Sequence, residues 1–400
     1  MSEVPDVSHP DTFARGFPHE VFRRLRRESP VHWHEGDYEG GHGYWIISRY
    51  ETIKTISRQP LLFSSAAGTS VEDGRADFVS MISMDPPGHR RYRALVSAGF
   101  TPKRIAAQEP HHREIVRAIL DAVIPRGRCD FVTDVAAELP LRVIAELLGV
   151  PQSSCAQLFA WSNRMIGNQD PEYAVSLADA QKAAEEMFVF ANGLAEDRLA
   201  HPCDDLMSAI LHGEVGGQRL SAFEFDTFFL LLALAGNETT RNLISHGLLL
   251  LLRHPHALAK LRRAPSLLPG AVEEMLRVSS PVMYMRRTAT EDTELGGQRI
   301  RRGDKLLLYY PSANRDEEVF ERPDEFDIER KDNHHLAFGV GEHFCIGTHL
   351  ARLETRVMFE GVLARMHDLE LAGEVSYIRS NLIDGVKHIP LRFSGRGAQP

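Results

Sequence analysis

The sequence predicts a mainly α protein with small β-sheets. Three features carry that prediction. Glu109 to about Leu211 holds apolar side chains at helical spacing, with Ile115, Ile119 and Val123 in one stripe and Leu139, Val143, Ile144, Leu147 and Leu148 in another. Ser221 to His254 is apolar nearly all round, the mark of a buried central helix. Strand-like runs are short and fall within residues 31–47, 293–310 and 377–393.

The 400 residues are 43% hydrophobic and 25% charged, the balance of a soluble globular chain that can bury a large core. Length alone would divide it into about two or three domains. A formal net charge of −9 argues against a general nucleic-acid binder. Met1 to Asp6 is polar and acidic, with no signal peptide or apolar anchor. The most apolar run, Phe228 to Gly236, is too short to span a bilayer. No membrane association is expected, and the expected location is the cytoplasm. Residues 1–16 are expected to form a loosely ordered arm. Cys129, Cys155, Cys203 and Cys345 are far apart and make no C-x-x-C, so neither a disulfide framework nor a structural zinc site is expected.

Phe17 to Glu28 is patterned as a helix that Pro30 stops. Val31–His34 and Tyr44–Ile47 read as a hairpin around the glycine-rich Gly36 to Gly43, with the alternating His32 and His34 either on a solvated strand face or forming a metal pair. Leu61 to Met84 has no period, and a loop of that length in a compact domain is often functional. Asp85-Pro86-Pro87-Gly88 opens a helix on which His89 and Arg93, four apart, share a face. On their own, these two are a solvated basic helix start or an anion-binding pair.

In the central helix, Ser221 and Glu224 have capping-box spacing. Ala235-Gly236-Asn237-Glu238-Thr239-Thr240 then interrupts the apolar run. Burying a glutamate beside two threonines is costly unless the groups have partners or a task. The stretch is either a polar kink, with threonine hydroxyls bonded to the previous turn, or a functional acid and alcohol. Gly270 to Val278 is the next helix and places Glu274 and Arg277 in i, i+3 pairing distance. Strands follow at Thr293–Leu295, Gln298–Ile300 and Lys305–Tyr310, the first two joined by Gly296-Gly297. Thr348 to Arg365 is a helix.

Just before that last helix stands Phe338-Gly339-Val340-Gly341-Glu342-His343-Phe344-Cys345-Ile346-Gly347. Glycines let backbone N–H groups turn toward the sulfur, and the following helix offers its positive end. Such a loop can hold one thiolate as a soft anionic metal ligand. The string, continued by Leu350-Ala351-Arg352, resembles the haem-binding signature of the cytochrome P450 family. His89 with Arg93, Ala235 to Thr240, Glu274 with Arg277, and Arg287 match further motifs of that family in order, with Glu238 where Asp is commoner.

The resemblance covers nearly the whole chain and implies one triangular haem-thiolate domain over residues 1–400. It implies haem b with Cys345 as the metal ligand and Phe338 and Gly347 around the sulfur. His89, Arg93, Arg287 and His343 would neutralise the propionates. Ala235 and Gly236 would face the haem, with Gly236 leaving room for O2, and Thr239 and Glu238 would be the catalytic proton-handling pair. Arg330 would join Glu274 and Arg277 in a structural lock. The implied activity is O2-dependent hydroxylation of a lipophilic small molecule, with electrons from a ferredoxin and an NAD(P)H-dependent reductase. The Leu268 to Arg277 and Ala235 to Arg241 runs look most like bacterial members acting on steroids and terpenoids.

Apolar wall candidates are Phe78 and its loop to Met84, Leu231, Leu234, Val282, Met283, Tyr284, Met285, Leu382 and Ile383. Arg90, Arg91, Arg352 and Arg356 are either a basic docking face for an acidic electron donor or separately solvated side chains. Two other readings of the same centre are a haem-thiolate protein that binds ligand without turnover and an enzyme of coupling or peroxide-driven chemistry. The intact Glu238-Thr239 pair disfavours both.

Overall fold

Ser221 caps the central helix, Ala222–Arg253, in the computed structural model, which describes residues 4–36, 43–72, 80–203, 205–215 and 217–395. The Ser221 N–H donates to Glu224 Oε2 at 2.8 Å, and the Glu224 N–H returns to Ser221 Oγ at 3.3 Å. Most of the helix is buried, so its stability comes from packing on every side. Helices Glu138–Leu147, Leu177–Ala200, Leu268–Ser279 and Thr348–Arg365 pack against it. Gly247 permits one close crossing, because a Cβ there would lie 2.8 Å from both Met275 Sδ and Phe359. Glu109–Val123 packs in turn on Thr348–Arg365, which runs over the expected residues.

The main sheet has five strands, in the order Val31–His34, Tyr44–Ile47, Lys305–Tyr309, Tyr284–Ala289, Phe63–Ser64. The expected hairpin is present, with Val31 opposite Ile47 and His34 opposite Tyr44. Lys305–Tyr309 is wholly buried, parallel to one neighbour and antiparallel to the other. The Thr293–Leu295 and Gln298–Ile300 hairpin turns at Gly296 and Gly297, whose φ values of 56° and 75° are the left-handed pair that a two-residue turn requires. The strands Tyr284–Ala289 and Met366–Leu371 were not anticipated, since Arg and Asp interrupt their apolar patterns.

Residues 4–16, expected as a loose arm, are instead packed. Val7 and Phe13 are buried, Asn381 Nδ2 donates to Ser8 O at 2.6 Å, and Arg379 pairs with Asp11 at 2.5 Å.

The lock beneath the cysteine loop is closed. Arg277 grips both oxygens of the fully buried Glu274 at 2.8 and 2.7 Å, and Arg330 Nε reaches them at 3.2 and 3.1 Å. The remaining Arg277 donors bind the carbonyls of Asn314, Pro323 and Glu325 at 2.7–2.9 Å. Asn314 Oδ1 then takes the Leu336 N–H at 2.6 Å, two residues ahead of Phe338. A charged group with all its donors used fixes the irregular segment leading to the loop.

Candidate active site

The cysteine loop folds back on itself. The Cys345 N–H donates to Phe338 O at 2.9 Å, and the Gly339 N–H to Leu336 O at 2.8 Å. Gly339 and Gly341 adopt φ of 68° and 82°, which side chains rarely accept, and a Cβ on Gly341 would strike the Ser57 carbonyl. Arg352 lies over the Phe338 ring at 4.8 Å, so the ring is held against the loop.

Cys345 faces an interior cavity of about 240 Å³. Burial pushes its thiol above the ordinary range, while the Gly347 N–H, then Arg93 and Arg352, pull it back. A metal cation on the sulfur would favour its thiolate form. Among the described residues no group of three or more His, Cys, Asp or Glu could hold a metal ion.

Leu231, Ala235, Gly236 and Thr239 of the central helix also line the cavity, at the three- and four-residue spacing of one helical face. Thr239 Oγ1 donates to Ala235 O at 2.8 Å, leaving its oxygen lone pairs toward the cavity side. Glu238 and Gly236 sit differently from Thr239. Glu238, one residue before Thr239 and so about 100° around the helix, does not line the cavity. It is buried behind the helix, with Oε1 taken by Arg241 and by Asn242 Nδ2 at 2.9 Å. Gly236 also lines the cavity, and Ile144 packs on the side to which a Cβ would point, its Cδ1 2.8 Å from that position.

His89, Arg93, Arg287 and His343 come together at one edge of the cavity. The His89 and His343 rings are 4.3 Å apart, and Ser65 Oγ lies 3.2 Å from His343 Nε2. Arg93 donates to Phe344 O at 2.5 Å. Among the described residues, buried Arg287 finds only the Arg286 carbonyl, at 2.8 Å, and burial lowers its pKa. His89 is buried with Nδ1 unpartnered among the described residues. Burial holds His343 down to about 3, helped by Arg287, and lowers His89 in the same way. No carboxylate lines the cavity among the described residues. Under-satisfied cations on an apolar wall fit a flat, apolar group that carries carboxylates, and the lone sulfur fits its metal; a haem meets both demands.

Leu231, Val282 and Met285 line the cavity as expected, joined by Met81, Ile82 and Phe100. Leu234, Met283, Tyr284, Leu382 and Ile383 do not. Tyr284 and Met283 are fully buried in the sheet region, the Tyr284 hydroxyl accepting the Val71 N–H at 2.9 Å. Leu382 accepts from Met283 through its carbonyl at 2.9 Å, and Ile383 pairs with Val282 from behind. Phe78 lies outside the described residues. Ile144 and Tyr310 also line the cavity. Ile144 had read as plain core, and only its helix's crossing of Gly236 marks it.

The arginines proposed for docking are largely engaged. Arg352 pairs with Glu273 at 2.6 Å, Arg356 with Glu109 at 2.6 Å and Glu360 at 2.9 Å, and Arg90 with Glu342. Three of the four thus carry acidic partners, while Arg91 is exposed.

The family model Cytochrome P450 matches residues 266–374. Linalool 8-monooxygenase of Pseudomonas putida is 39% identical, across 97% of this chain and 98% of its own. Steroid C26-monooxygenase of Rhodococcus jostii is 38% identical, across 98% and 85%. Methyl-branched lipid omega-hydroxylase of Mycobacterium tuberculosis is 40% identical, across 94% and 90%. Among solved structures, a Mycobacterium marinum cytochrome P450 in complex with pseudoionone aligns with a TM-score of 0.89 at 36% identity, covering 94% of each chain.

Proposed function

Because the chain belongs to the cytochrome P450 family, we propose that Cys345 holds the haem of a monooxygenase that hydroxylates a terpenoid, steroid or branched-chain lipid. The enzyme is a haem-thiolate monooxygenase, and no helix among the described residues is long and apolar enough to cross a membrane. The observation that carries the site assignment is the single sulfur facing a cavity whose charged side chains, among the described residues, are all basic.

When bound, the haem supplies O2 activation: two electrons and two protons place one oxygen atom in a C–H bond and release the other as water. The protein's own part is positional. Gly347 directs its N–H at the Cys345 sulfur, which favours the thiolate and tempers its electron donation. Phe338, pinned by Arg352, keeps water from the sulfur. His89, Arg93, Arg287 and His343 receive the carboxylates.

Thr239 holds the proton-relaying hydroxyl at the cavity wall, where its bond to Ala235 O fixes the direction of its lone pairs. Glu238 acts from behind the helix as the acid that restocks this relay. Met81, Ile82, Leu231, Val282 and Met285 orient substrate by shape, with the flexible methionines accommodating branched skeletons. The relatives named for linalool, steroids and methyl-branched lipids support that range. A ferredoxin with an NAD(P)H-dependent reductase delivers the electrons.

The test is turnover of the holoenzyme with ferredoxin, reductase, NAD(P)H and labelled O2 on monoterpene alcohols, sterols and methyl-branched fatty acids. Expected is a hydroxylated product carrying one labelled oxygen atom. Ligand-induced spectral shifts with no oxygenated product in any class would contradict the proposal.

A further inference from the structure

Behind the cavity wall at Pro281 and Val282 runs a segment with almost no regular structure. Residues 378–385 are irregular apart from the bridge of Ile383 to Val282, yet Ile378, Ser380, Asn381 and Ile383 are buried. The segment backs the wall directly. The Asp384 N–H donates to Pro281 O at 2.9 Å and the Met283 N–H to Leu382 O at 2.9 Å, while Pro281 and Val282 line the cavity. Whatever holds this segment therefore sets the place of the wall.

Buried backbone outside a ladder needs partners from elsewhere, and here side chains supply them. Ser380 Oγ accepts the Leu382 and Ile383 N–H groups at 3.2 and 3.1 Å. Further partners come from the connection between helices Cys155–Ile166 and Leu177–Ala200. Asp170 Oδ2 accepts the Arg379 N–H at 2.8 Å, and Gln169 Oε1 accepts the Asn381 N–H at 3.1 Å. Asp170 is 1% exposed and also holds its own turn, Oδ1 accepting the Glu172 N–H at 3.0 Å. Lys387, just past the segment, completes the joint: its Nζ lies 3.2 Å from Asp170 Oδ2 and 2.8 Å from Glu172 Oε2. Removing one partner of such a pair leaves the other charge uncompensated, so the joint loosens as a unit.

We propose that Asp170 and Lys387 are positioning residues for substrate selection: their ion pair fixes residues 378–385 against the 167–176 connection and so sets where Val282 meets the substrate. This rests on the reading of the cavity as a substrate site beside a haem. Neither residue lines the cavity. They act through the backbone bonds at Pro281 and Met283, which carry any retreat of the backing segment to Val282.

The test titrates the holoprotein with imidazole and with 4-phenylimidazole, followed by the Soret shift. Imidazole needs only the metal, whereas the phenyl ring also needs the wall. The variants are Lys387→Met, Lys387→Arg, Asp170→Ala, Val282→Ala and V282A/K387M. In Lys387→Met and Asp170→Ala the affinity for 4-phenylimidazole is expected to fall about fivefold or more, equivalent to ~1 kcal/mol, and that for imidazole to stay within about twofold. Lys387→Arg should remain close to the parent. In the Val282→Ala background Lys387→Met should add little, because the contact it positions is already gone.

A 4-phenylimidazole affinity that does not fall in Lys387→Met, or that falls in step with imidazole, overturns the proposal, as does full additivity of Lys387→Met with Val282→Ala. If Asp170→Ala does not fold, D170N/K387M, which removes both charges together, is read in its place with the same expectation. The titrations need no turnover. A parent that makes no oxygenated product refutes the monooxygenase reading and leaves the wall joint to be judged by its own result.

Discussion

Arg287 lies buried at the cavity edge with, among the described residues, the Arg286 carbonyl as the one partner of its guanidinium. A buried cation so poorly matched is a burden on the empty protein and an asset once carboxylates arrive. Arg287→Met should therefore act in opposite directions on two measurements. The haem-free protein should gain stability, by ~1 kcal/mol, in urea unfolding. Haem retention, followed by transfer to apomyoglobin, should weaken by about tenfold or more, equivalent to ~1.4 kcal/mol. Loss of both together would mean that Arg287 is a structural cation.

The two histidines give a pH dependence with a definite sign. His343 is depressed from 6.5 to about 3, chiefly by burial and then by Arg287, His89 and Arg93. The unfolded chain thus binds a proton that the folded apoprotein refuses. Apoprotein stability should fall as pH drops from 6.5 toward 3, at no more than ~1.4 kcal/mol per pH unit from this group. His343→Asn should flatten that slope, and bound haem carboxylates should flatten it too. Parallel pH profiles for parent and variant would count against it.

Glu274 is held by Arg277 and Arg330 and by Asn333 Nδ2 at 3.1 Å, so neutralising it strands two cations. Glu274→Gln should cost about 3–5 kcal/mol, seen as a large fall in the denaturation midpoint and poor haem incorporation. A change confined to turnover, with normal stability, would place Glu274 in the chemistry.

Thr239→Ala removes a hydroxyl whose protein bond is to the previous turn of its own helix. Stability should change by less than about 0.5 kcal/mol, and substrate should still bind. The peroxide produced per NAD(P)H should increase several-fold at the expense of product. Unchanged coupling would remove Thr239 from the proton path.

These residues also show what the sequence could and could not disclose. The cysteine loop, the capped central helix and the Glu274–Arg277 pair were legible because each depends on a local spacing, whereas Arg330 was implied only by the family resemblance. The substrate wall was less so, because it depends on which face a strand presents. On Tyr284–Ala289, Met285 and Arg287 alternate toward the cavity while Tyr284 points into the sheet core. Placing Arg287 in the site already implied Met285 and excluded Tyr284. The same reasoning at helical spacing separates Glu238 from Thr239. Ile144 had no such clue, since its role arises only where two distant helices cross at Gly236.

The central claim is that Cys345, as a thiolate, is the metal ligand, and the carbon monoxide spectrum of the reduced holoprotein tests it most directly. The parent should show the Soret band of a thiolate-ligated haem, and Cys345→His should show that of a histidine-ligated one. A histidine-type band in the parent, or an unaltered thiolate band in Cys345→His, would contradict the assignment.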